Sequence, residues 1–146
     1  MIQRIVIALS FAIALAGCAT ASISPIQASD ASANRVYWDG YAGDGYRIKI
    51  SRDAGQLGSL CFTQVYVDGK LAADIGLAES VMFKVSPGQH VLRASPTQAS
   101  SLCRKIYSAP QFQMEVTVDG APGDVKSYRY GFAGGSGLPF LVPVGS

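Results

Sequence analysis

The chain has 146 residues, 49% of them hydrophobic and 15% charged, with twelve basic and ten acidic side chains. That is material for one ordinary domain; a formal net charge of +2 spread along the chain supplies no basic stripe for nucleic acid, and charge is too scarce for a disordered tail. One histidine and three cysteines leave little for a metal cage or a histidine-based active site, so no metal, cofactor or enzymatic activity is expected.

At the amino terminus Arg4 precedes an apolar and small-residue run from Ile5 to Ala16 that ends in Leu15-Ala16-Gly17-Cys18. A short positive region, a short apolar region and small residues at a cut form a signal-peptide pattern. The run is too short to span a bilayer, which takes about 20 apolar residues. The four residues ending in Cys18 resemble the lipobox of bacterial lipoproteins. That resemblance implies cleavage after Gly17 and acylation of the Cys18 thiol, with two or three chains giving a stable anchor. The alternative is an ordinary secretory signal cut near Ala19-Thr20-Ala21, with Cys18 discarded. Ala19 and Thr20 after the cysteine, rather than aspartate, resemble the outer-membrane sorting class of Gram-negative lipoproteins, so the expected location is the outer membrane, facing the periplasm.

Residues 1–17 are therefore read as a signal peptide, and their removal leaves eleven basic and ten acidic side chains. Residues 18–34 are read as the lipidated cysteine and a flexible tether, small and polar and without aromatic rings. Fully extended, such a tether reaches at most about 55 Å.

From Arg35 onwards the composition changes, and residues 35–146 are read as one all-β domain. Period-two segments predict strands near Tyr46–Ser51, Leu60–Val67, Ser80–Val85, His90–Ala94, Phe112–Val118 and Val125–Phe132. Asp68-Gly69, Ser86-Pro87-Gly88 and Asp119-Gly120 are turn signals between them, with a type II turn expected at Pro87-Gly88. No long window has helical spacing. The pattern predicts a small antiparallel β-sandwich or barrel.

With Cys18 lipidated, Cys61 and Cys103 remain as an even pair in an exported chain, which invites a disulfide. The competing reading is two unrelated buried thiols.

The stretch Val65-Tyr66-Val67-Asp68-Gly69-Lys70, then Val81 to Val85, then Pro87-Gly88-Gln89-His90-Val91-Leu92, resembles the core of PEGA-like domains and of related small lipoprotein domains. It covers about 30 residues closely, and departs from the PEGA pattern at Ile75-Gly76-Leu77-Ala78. The resemblance implies a small PEGA-like or immunoglobulin-like sandwich serving as an envelope adaptor or binding module. His90 is read as a turn-flanking side chain with a satisfied ring nitrogen. A serine-histidine-acid triad would have to use it, and the chain holds no Gly-x-Ser-x-Gly elbow.

Tyr37, Trp38, Tyr41 and Tyr46 crowd ten residues together with Asp-Gly turns. Aromatic faces beside acids suit sugar rings or a peptide, so this cluster is a candidate ligand-binding segment; the competing reading is a turn leading into a first strand whose rings fill the core. The tail from Gly131 to Ser146 either covers a sheet edge or stays free as a docking strand. The functional expectation is a non-enzymatic, membrane-anchored envelope lipoprotein whose partners are the membrane and an envelope protein or peptidoglycan. The alternative is a binder or inhibitor of cell-wall glycans or wall hydrolases acting through the Tyr37–Tyr46 cluster.

Overall fold

A computed structural model of the chain describes residues 21–23 and 27–145. The expected signal peptide and Cys18 lie outside the described residues. Among these, the strands in chain order are β1 (Ser29–Asp30), β2 (Tyr46–Arg52), β3 (Thr63–Val67), β4 (Lys70–Ile75), β5 (Glu79–Val85), β6 (Gly88–Pro96), β7 (Met114–Gly120), β8 (Val125–Phe132) and β9 (Pro139–Val144), with one helix, α1 (Ser101–Tyr107). They form a five-stranded sheet, β1-β5-β2-β8-β9, and a four-stranded sheet, β4-β3-β6-β7.

Alternation places the core between the two sheets. Tyr46, Ile48 and Ile50 of β2 and Val81, Phe83 and Val85 of β5 face Val65, Val67, Leu92, Ala94 and Val118 across the gap, all buried. Such sheet-on-sheet packing buries one face of each strand and leaves the other to solvent. Each fully buried aliphatic or aromatic side chain contributes roughly 1.5–3 kcal/mol.

The fold is all-β and sandwich-like, as the pattern predicts, but the first sheet is not wholly antiparallel. β2 pairs with β8 in parallel, Arg47 opposite Val125 through Arg52 opposite Tyr130. Between these two strands the chain builds the entire second sheet, and that long crossover is what a parallel pairing needs.

The six predicted strands are present with adjusted ends. Residues 60–62 lie outside β3, in a turn where Cys61 donates its amide to Gly58, and Phe112 sits in a short 3-10 turn. β4 was not foreseen because a bulge at Val65/Tyr66 interrupts its alternation and buries both Ala72 and Ala73. β9 closes one edge by pairing with β8 from Phe132–Pro139 to Ser127–Val144, which is the edge-covering role for the tail. α1 was not foreseen either; it is only seven residues long, too short to show a helical period.

Two further expectations change. Parts of the segment read as a tether lie against the sandwich: β1 pairs in parallel with β5 and Ala21 bridges Ala54, and just after it Arg35 clamps Glu79 with two contacts of 2.7 Å. Asp119-Gly120 is not a turn but the end of β7, paired with Gln89 and Gly88. Gly120 is required by packing, since a Cβ there would meet the Tyr46 ring at 2.6 Å. The turn comes afterwards, at Ala121-Pro122-Gly123-Asp124, with Gly123 at φ 90° and Asp124 donating its amide to Ala121 O.

Candidate functional site

Asp68 and Gly69 have φ of 50° and 79°, so the β3–β4 link is a two-residue hairpin with both central residues left-handed. That geometry matches the twist of the flanking strands. It also lifts the Asp68 carboxylate towards the neighbouring β5–β6 turn, where Gly88 takes φ 104° after Pro87. His90, the second residue after Gly88, stands between the two turns.

The result is a serine-histidine-aspartate arrangement. His90 Nδ1 lies 2.6 Å from Asp68 Oδ2, and His90 Nε2 lies 3.1 Å from Ser86 Oγ. Asp68 Oδ1 also accepts the Val91 amide at 2.8 Å. Burial works against the charged Asp68 carboxylate, yet the Val91 amide and His90 outweigh it and hold the group below the usual carboxylate range. The Tyr46 ring backs the imidazole at 5.9 Å between centroids.

Two features separate this cluster from a nucleophilic relay. His90 Nε2 is also 3.0 Å from the Ser86 carbonyl oxygen, a contact that suits an N–H and opposes the lone pair a general base would present to Ser86 Oγ. And the residue after Ser86 is Pro87, which has no amide hydrogen to offer a developing oxyanion. With both ring nitrogens facing oxygen acceptors, His90 acts as a bolt joining two hairpin turns. Two open depressions flank this end of the sandwich, one of about 470 Å³ lined by Pro87, Gly88, Asp119 and Asp124 among others, one of about 510 Å³ lined by Asp44, Arg47 and Lys84 among others. Neither includes Ser86 or His90 among its lining residues.

The aromatic segment does not converge on one surface. Tyr46 is wholly buried; its hydroxyl donates to Val118 O at 3.2 Å, burial pushes its ionisation up to about 12, and it is out of a ligand's reach. Trp38 packs edge-on against Phe83, 6.1 Å between centroids, donates its indole N–H to Lys84 O, and has Lys70 Nζ 5.6 Å from its ring. Tyr37 is exposed and donates its hydroxyl to Asp74 Oδ2 at 2.9 Å. Tyr41 is exposed too. Of the four candidates, Tyr37 and Tyr41 offer free ring surface, Trp38 is half-buried, and Tyr46 belongs to the core.

At the opposite end, Cys61 and Cys103 form a disulfide with Cα atoms 5.8 Å apart. It fastens α1, whose first turn is capped by Ser100 Oγ accepting the Cys103 amide at 3.1 Å, to the loop after β2. The same loop is held from below by Arg52, a buried side chain that sequence reasoning passed over. Its guanidinium donates to Cys61 O and Gly58 O, both at 2.6 Å, and to Ile75 O at 3.1 Å. Beside it Asp53 is buried, with Arg129 Nε 3.2 Å from its Oδ1 and the Ile23 amide donating to the same oxygen at 3.4 Å. Burial pushes the Asp53 carboxyl up, and Arg129 draws it partly back.

Comparison of the chain with protein-family models, with curated proteins and with solved structures finds no match.

Proposed function

We propose that the protein is a non-enzymatic, lipid-anchored module of the bacterial envelope, attached through Cys18 to the outer membrane, with its β-sandwich facing the periplasm and engaging another envelope component. The observation that carries this reading is the Cys61–Cys103 disulfide. Structural disulfides persist in oxidising, exported compartments, and this one joins a chain whose first eighteen residues read as a lipoprotein leader. The polar groups with chemical potential support a structural role: His90 is committed on both ring nitrogens, and Arg52 donates only to backbone carbonyls. Growth with an alkyne fatty acid should label the wild-type chain and leave Cys18→Ser unlabelled. Equal labelling of both, or of neither, contradicts the anchor.

A second reading has one observation behind it, the approach of Ser86 Oγ to His90 Nε2 with Asp68 on the far nitrogen. In that case Ser86 would be an acyl-transfer nucleophile. A fluorophosphonate probe decides between the two: the non-enzymatic reading predicts no adduct on Ser86. An adduct lost in His90→Ala, with the fold intact, would establish the enzyme instead.

A further inference from the structure

We infer that the end of the sandwich carrying α1 and the disulfide is a bilayer-docking surface that lies on a membrane containing anionic phospholipid. The inference deepens the proposed function and takes its orientation from the anchor at Cys18.

The strand directions gather one set of loops at this pole. β2, β4, β6 and β8 end there, and β3, β5, β7 and β9 begin there. The two sheets are tied at the same end, where Arg52 of the first reaches the Ile75 carbonyl of the second, and α1 packs against the first sheet with the Tyr107 and Phe132 rings 5.9 Å apart. The amino-terminal segment arrives at this pole as well, where Ala21 bridges Ala54. Cys18 is three residues upstream, so its Cα lies at most about 11 Å from that of Ala21. A lipid on Cys18 thus brings this end, and not the other, to the membrane.

The surface presented there is apolar. Leu60 is 80% exposed, Leu102 49%, Ile106 48% and Phe62 46%. Leu60 and Leu102 directly precede the bridged cysteines, so the disulfide fixes them as neighbours, and Cys103 Sγ lies 3.8 Å from Leu60 O. Leu102 and Ile106 are one helical turn apart and share a face of α1. Leu60 and Phe62 also border a recess of about 240 Å³ together with Leu77. Solitary exposed apolar residues are ordinary, whereas a contiguous group at one end marks an interaction surface.

Two cations adjoin the patch. Arg104 and Lys105 on α1 are exposed beside Leu102 and Ile106, Asp53 is buried, and of the acids at the strand ends of this pole, Asp30, Asp74 and Glu79, the last is paired with Arg35. Among the described residues neither cation has an ion-pair partner. The far pole holds Asp39, Asp44, Asp68, Asp119 and Asp124 together with Arg47, Lys70, Lys84 and Lys126, and Lys70, His90 and Lys126 contact three of the five acids. An apolar patch beside basic side chains is the chemistry of an interfacial segment on an anionic leaflet.

The test uses the full chain, processed in cells, purified and reconstituted in phosphatidylethanolamine–phosphatidylglycerol vesicles (3:1) with brominated acyl chains. Intact mass first establishes whether Cys18 carries lipid, which judges the anchor separately. In Leu102→Trp the introduced indole should be quenched by bromolipid to less than half its signal in unbrominated vesicles. In Val125→Trp, at the far pole, the signal should be unchanged, with native Trp38 as internal reference. For the Cys18→Ser protein, Arg104→Glu with Lys105→Glu should lower partitioning onto the same vesicles about tenfold. Equal quenching at positions 102 and 125 on a lipidated chain overturns the inference. So does shielding of the introduced indole from aqueous acrylamide without bromolipid quenching, which would place a second copy on this face.

Discussion

Arg52 occupies a position where a cation is expensive to bury, and it is kept there by three carbonyl oxygens rather than by a carboxylate. Burial lowers its basicity, while hydrogen bonds to Cys61, Gly58 and Ile75 satisfy the guanidinium. Arg52→Ala would take the guanidinium donor from the Cys61 and Ile75 carbonyls and leave the Gly58 carbonyl with the Cys61 amide alone, and an unsatisfied buried polar group costs about 1–3 kcal/mol. Chemical denaturation of the oxidised protein should therefore show a loss of at least about 2 kcal/mol, and Arg52→Lys should fail to restore it, since one ammonium cannot span three divergent acceptors. Nothing in the local sequence announces this role. Alternation turns Arg52 inward with Tyr46, Ile48 and Ile50, but it names no partner for a buried cation, and its acceptors come from loops whose approach only the tertiary fold decides. His90 was legible in part. Its placement beside a Pro-Gly turn predicts a satisfied ring, but not that Asp68, 22 residues away, and Ser86 would be the groups satisfying it.

Elements built on uninterrupted alternation and glycine or proline turns were readable, and those that depend on partners were not. β2, β5 and β8 follow their patterns closely, whereas β4 is disguised by its bulge, β9 by two prolines that only an edge strand tolerates, and β1 by its two-residue length. The β4–β5 turn shows local strain that the sequence conceals. Ala78 sits at φ 57° because its carbonyl must accept the Ser29 amide at 2.9 Å while Glu79 turns back to take the Gly76 amide at 2.6 Å. A Cβ in this left-handed region is unfavourable. Ala78→Gly should stabilise the protein by about 0.5–1 kcal/mol, visible as a raised denaturation midpoint with an unchanged slope; a lower midpoint would show that Ala78 is not strained.

For the whole molecule, the disulfide and the ionised carboxylates set the conditions under which the fold holds. The bridge closes a loop with a sequence separation of 42, worth about 4 kcal/mol in the chain-entropy model. Glu79 is held below the usual carboxylate range chiefly by its hydrogen bonds from Arg35, and Asp68 lies low through the Val91 amide and His90 despite its burial. A carboxylate with a lowered folded pKa contributes stability that is present above its unfolded pKa, about 4, and lost as pH falls through the folded value. Asp53, pushed the other way by burial, recovers a part of that loss. Stability should thus hold from neutral pH to about 4 and fall below it, and Glu79→Gln should flatten the fall; a protein whose stability rises on acidification below pH 4 would contradict these assignments.

The two poles give the molecule a direction, with the chain arriving at the end that carries the disulfide, α1 and the exposed apolar group, and the His90-bolted hairpin turns at the other. That direction has meaning only if the leader is processed as the lipobox resemblance implies. The decisive measurement is the intact mass of the protein taken from the cell envelope, with thiols trapped before and after reduction. Processing at the lipobox and a Cys61–Cys103 bridge predict a chain that begins at Cys18, carries the mass of two or three acyl chains, and exposes two trappable thiols only after reduction. A chain that begins elsewhere, an unmodified Cys18, or free thiols at Cys61 and Cys103 before reduction would contradict that prediction.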